Sequence, residues 1–114
     1  MRQGVLRVAR LVGLFGSMLP IGSLVAEPSS PAPVKIVQVR PYANSYSVYI
    51  DVSSGQLCGT SAFVIMTHEP GGKEMYAAAL TALTTGKRVI LEVSNATGCT
   101  GWGTKLQSLY VLAN

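Results

Sequence analysis

Few residues in this chain could do chemistry, and they are scattered. His68 is the only histidine, and Glu69 follows it. A histidine beside a carboxylate can serve acid–base catalysis. No serine or cysteine nucleophile motif accompanies this pair, so a solvated loop histidine is the simpler reading. Cys58 and Cys99 are the only cysteines. They lie far apart and form no Cys-x-x-Cys motif, which favours a structural disulfide over a redox pair. Two thiols and one imidazole are too few to hold zinc. The sequence therefore predicts no metal, no cofactor and no catalytic residue.

The remaining candidates are suited to binding. Trp102, the single tryptophan, sits between Gly101 and Gly103. Flanking glycines can present an indole to a sugar face or a base; the ring could equally cover the barrel end over the disulfide. Asn95, Thr97 and Thr100 share the loop and could add hydrogen bonds. Asn95-Ala96-Thr97 also reads as a glycosylation sequon, which the bacterial look of the leader makes incidental. Tyr42, Tyr46 and Tyr49 crowd one predicted hairpin. Tyr49, on the polar face of its strand, is the candidate exposed aromatic, against a plain cross-strand pair.

The elements that must position these residues follow a leader. Arg2, Arg7 and Arg10 precede an apolar run from Leu11 to Val25, and Ala26 offers a cleavage site. This pattern predicts a signal peptide over 1–26. Gly13, Gly16, Pro20 and Gly22 interrupt the run, and it falls short of the ~20 residues a membrane span needs. The segment 27–33, EPSSPAP, is read as a flexible lead, and 34–114 as one domain. Cleavage of the 114-residue chain would leave 88 residues, with six bases against five acids. The net charge of +4 thus falls to +1 and gives no basic surface for nucleic acid. An exported chain, periplasmic or secreted, with one pair of cysteines reads as singly disulfide-bonded.

Within the domain, VKIVQVR from Val34 to Arg40 is a first strand ended by Pro41. Tyr46, Val48, Ile50 and Val52 alternate with polar positions, the period of a half-buried strand. AFVIM from Ala62 to Met66 is continuous, as for a strand covered on both faces. A helix is expected over 73–85, capped by Gly86. At about 100° per residue, Met75, Tyr76, Ala79, Leu80, Ala82 and Leu83 form one arc. Ala77, Ala78, Thr81 and Thr84 form the other. No charge falls between Glu74 and Lys87, so both arcs could be covered. Val89, Leu91 and Val93 mark a fourth strand. A fifth spans Thr104 to Leu112, with a slip between Leu106 and Leu109 that suggests a bulge. The order β-β-β-α-β-β fits an all-β fold with one helix, an OB-fold-like five-stranded Greek-key barrel.

The run from Tyr76 to Ile90, YAAALTALTTGKRVI, resembles the helix-to-strand passage of the B subunits of subtilase cytotoxin and typhoid toxin. Those are secreted OB-folds that form rings of five and bind sialylated glycans. The loop around Trp102 and the cysteine spacing depart from them. The resemblance implies an exported, non-catalytic binding module, a glycan- or protein-binding subunit able to self-associate through the helix 73–85. The alternative is a small periplasmic enzyme using His68 with a nearby carboxylate.

Overall fold

The computed structural model describes residues 32–113. The predicted signal peptide, 1–26, and the greater part of the lead lie outside them. Five strands and one helix follow in order. They are β1 (Val34–Pro41), β2 (Ser47–Val52), a short 3-10 turn (Leu57–Gly59), β3 (Ala62–Met66), α1 (Gly72–Thr85), β4 (Arg88–Val93) and β5 (Thr104–Val111). The fold is mostly β with one helix, as the hydrophobic periods imply. No helix among the described residues is long and apolar enough to cross a membrane.

The strands close on themselves in the order β1-β2-β3-β5-β4. Four of the five pairings are antiparallel, and β3 with β5 is parallel. The closure of β1 onto β4 is short, Val34 opposite Val89 and Lys35 opposite Arg88. Alternate residues fill the interior: Val48, Ile50 and Val52 from β2, Phe63 and Ile65 from β3, and Val89 and Leu91 from β4. Ala79 and Ala82 of α1 join this core, with Met75, Tyr76 and Leu83 packed against it.

β3 is continuous for a specific reason. Phe63 and Ile65 are in the core, whereas Ala62 and Val64 belong to the opposite face yet are also buried, Val64 at 7% exposure. Val64 lies in register between Tyr49 of β2 and Lys105 of β5. The expected slip in β5 is a bulge. Glu92 pairs with Ser108 and Val93 with Leu106, which leaves Gln107 as the extra residue. Gln107 Oε1 accepts a hydrogen bond from the Asn95 N–H at 2.8 Å.

α1 begins one residue earlier than the sequence suggests. Gly72 is wedged under β3, where a Cβ would collide with the Met66 carbonyl oxygen. Gly86 ends the helix at φ 71°, and its N–H returns to the Ala82 carbonyl. Leu80, expected on the buried arc, is 38% exposed; the covered stripe centres on Ala79 and Ala82, so Leu80 lies on its edge. Tyr46 also departs from expectation. It precedes β2 and is 63% exposed. Tyr42 N–H bonds to the Ser47 carbonyl at 3.1 Å and closes the turn, so Tyr46 rides on the turn rather than in the strand alternation.

Candidate functional site

The Cys58–Cys99 disulfide ties the 3-10 turn to the loop that carries Trp102, with 5.3 Å between the two Cα atoms. Three glycines let that loop reverse direction: Gly98, Gly101 and Gly103 have φ of 66°, 79° and 79°. Gly103 has a second duty. Its N–H bonds to the Ala62 carbonyl at 2.9 Å, and a Cβ there would come within 3.4 Å of Tyr49 Cε2. Buried Thr104 fastens the loop from beneath. Its hydroxyl donates to the Gly101 carbonyl at 2.6 Å and accepts from the Thr100 N–H at 2.9 Å.

The outcome is an indole held on one side and open on the other. Trp102 stacks on Tyr49 with ring centroids 4.9 Å apart and planes 27° from parallel. It is nevertheless 63% exposed. Tyr42 meets Tyr49 edge-on at 5.4 Å. Arg40, in register opposite Tyr49 across the hairpin, sets its guanidinium carbon 5.9 Å from the centroid of each tyrosine ring. That is the cation–π range. Arg40 Nη1 donates to the Tyr42 hydroxyl at 3.2 Å, while Arg40 Nε is buried and without a hydrogen-bond partner. Trp102, Tyr49, Tyr42 and Arg40 thus form one surface across β1, β2 and the loop before β5.

The structure brings together Trp102 and Tyr49 from the candidates named by sequence. The others have local structural tasks. Thr100 braces the loop through Thr104. Asn95 is positioned by Gln107, and the Thr97 hydroxyl donates to the Gly98 carbonyl at 3.3 Å. His68 and Glu69 do not form a pair with each other. His68 packs its ring against Tyr46, 4.9 Å between centroids. Glu69 takes an ion pair from Lys105, with Oε2 2.7 Å from Nζ. No group of three metal-ligating side chains occurs among the described residues. An apolar hollow at the barrel mouth, lined by Val34, Val52, Leu57, Phe63 and Leu91, measures about 60 Å³. That is far below the ~300 Å³ at which ligand pockets begin.

Arg40 and Tyr42 complete a surface whose sequence signal was incomplete. Their spacing of two puts them on one side of the chain. That Arg40 faces Tyr49 depends on the hairpin register, which the turn sets. No protein-family model and no curated protein sequence matches the chain.

Proposed function

We propose that this chain is an exported, non-catalytic binding module with an OB-fold, whose ligand is a glycan seated on the face formed by Trp102, Tyr49 and Tyr42. The fold part of the reading is supported by the closed strand order, the parallel pairing of β3 with β5 and the helix between β3 and β4. OB-folds bind through the outer strands of this region and the neighbouring loops, and Tyr49 is on β2. Export is supported by the disulfide and by the leader read from sequence. The resemblance of the run from Tyr76 to Ile90 to toxin B subunits points the same way.

One observation carries the function: an indole braced on one face by Tyr49 and left open on the other. An exposed tryptophan without a packing partner would be mobile and poorly placed for a ligand. One covered on both faces would serve only stability. Trp102 has a rigid backing and an open face, which suits the apolar side of a pyranose ring. The module also self-associates in this reading, through the outer arc of α1.

The test is a glycan array probed with wild type and with Trp102→Ala. Wild type retains a subset of glycans, and the variant loses more than about tenfold in affinity, ~1.4 kcal/mol, with its melting temperature little changed. Undiminished binding by Trp102→Ala would move the site elsewhere. An array with no wild-type binder would remove glycans as the ligand and leave a protein surface as the occupant.

A further inference from the structure

We infer that the outer face of β1, β4 and β5 is a docking surface for an anionic phospholipid membrane, with Lys35 and Arg88 meeting lipid phosphates and Ile90 and Tyr110 entering the headgroup layer. This surface is separate from the Trp102 face, because β4 flanks β1 on the edge away from β2. Nothing in it depends on the saccharide site. Only the export of the chain, which brings it to a membrane surface, is shared with the reading above.

Strand register puts two like charges face to face. Lys35 of β1 lies directly opposite Arg88 of β4, in the short pairing that closes the barrel. Like charges so placed are destabilising. Both residues are exposed. Neither joins an ion pair, since among the described residues the one ion pair is that of Lys105 with Glu69. Two acids border the seam without joining it. Glu92 shares the outer face of β4 with Arg88 but stands four residues on, ~13 Å away at ~3.3 Å per residue. Asp51 of β2 lies opposite Gln38, three residues from Lys35. Lys87 precedes Arg88 and adds a third positive charge at this end of β4; its Nζ donates to the Ala113 carbonyl at 3.4 Å. A seam that only had to close the sheet would gain from an acid in place of Lys35 or Arg88. Two bases there suit an anion supplied from outside.

Apolar groups lie beside the basic row. Arg88 and Ile90 are two apart on β4 and therefore share a face. Tyr110 of β5 is in register opposite Ile90 and is 47% exposed. The Leu112 N–H bonds to the Arg88 carbonyl at 2.9 Å, which sets one more apolar residue next to the bases. A row of positive charge thus adjoins an apolar row on one sheet face. That combination fits a bilayer surface. Tyrosine settles at the headgroup level, with its ring in apolar surroundings and its hydroxyl in water. Lysine and arginine lay their stems along apolar ground and hold their charges toward lipid phosphates. A nucleic acid would call for a broader basic surface.

The exported protein, its leader removed, is sedimented with vesicles of equimolar phosphatidylglycerol and phosphatidylcholine, and with vesicles of phosphatidylcholine alone. Wild type partitions about tenfold or more in favour of the anionic vesicles, and added salt erodes the preference. Lys35→Gln with Arg88→Gln brings binding down to the neutral level. Lys35→Glu is the sharper variant. It sets a carboxylate opposite Arg88, so it holds or raises the melting temperature while abolishing the preference, a combination that misfolding cannot produce. Should it melt earlier, the paired glutamine variant decides. Tyr110→Ser weakens binding to anionic vesicles and leaves its salt dependence unchanged. Trp102→Ala partitions like wild type, so loss of the saccharide reading would leave this surface standing. Equal partitioning of wild type onto both vesicles overturns the inference. Binding to neither also overturns it and leaves an acidic protein as the occupant. A Lys35→Glu protein that keeps the preference, or a Trp102→Ala protein that loses it, places the lipid elsewhere, and the inference fails.

Discussion

Gly86 shows how much a single residue can decide in this fold. Its φ of 71° closes α1 and turns the chain into β4. A Cβ added there would meet nothing within 4 Å, so the penalty for another residue is backbone strain alone. Gly86→Val should destabilise the protein by about 1 kcal/mol or more, since a β-branched side chain is a poor fit to left-handed backbone. Urea melting checks this, and an unchanged midpoint would mean that the cap tolerates a branched residue. Gly86 was legible in the sequence because it follows the last apolar-periodic turn. Trp102 and Tyr49 were legible as separate candidates, the first by its glycine neighbours and the second by its place on a polar strand face. Their stacking was not, because it depends on Gly103 allowing the loop to approach Tyr49. Arg40 carries no such signal in the sequence, where it is simply the charged end of a strand, because its place opposite Tyr49 depends on the hairpin register.

At the scale of elements, period decided most of what could be read. The alternation in β2 and β4 and the bulge in β5 all have counterparts in the structure. The continuous apolar run of β3 signals a strand covered on both faces, and Ala62, Phe63, Val64 and Ile65 are all buried. Sequence could not say what covers the second face, because that depends on neighbours in the closed sheet. α1 is the element with an open question. Its outer arc carries no charge, and its threonine hydroxyls are turned into the helix: Thr81 donates to the Ala77 carbonyl, Thr84 to Leu80 and Thr85 to Thr81. The outer arc therefore offers mainly methyl groups, with Leu80 at its edge. In the proposed assembly this arc packs against a second copy. Ala78→Glu with Thr81→Lys should dissociate that assembly, because charges buried without partners are strongly unfavourable. Light scattering reads the mass directly. A wild type that remains monomeric at high micromolar concentration would contradict helix-mediated assembly.

For the whole molecule, a small barrel closed by few β1–β4 pairings gains from a covalent tie. The disulfide spans a sequence separation of 41 residues and joins the turn before β3 to the loop before β5. Loop-closure entropy assigns such a bridge about 4 kcal/mol. Cys58→Ser with Cys99→Ser should lower stability by that order, measured by denaturant melting, and should weaken ligand binding by loosening the Trp102 loop. A double variant as stable as wild type would show that the barrel holds without it. The bridge was legible from the pairing of two cysteines with a leader; the binding face was not, because it is assembled from three segments that only the closed sheet brings together. The central claim is that ligand lands on the open face of Trp102. Because the chain has one tryptophan, its indole N–H gives one resonance, and titrating ¹⁵N-labelled protein with a saccharide selected from the array tests the claim most directly. The account predicts that this resonance shifts saturably, together with the backbone amides of Tyr49 and Gly103. Saturable binding that leaves the indole resonance unmoved would contradict it.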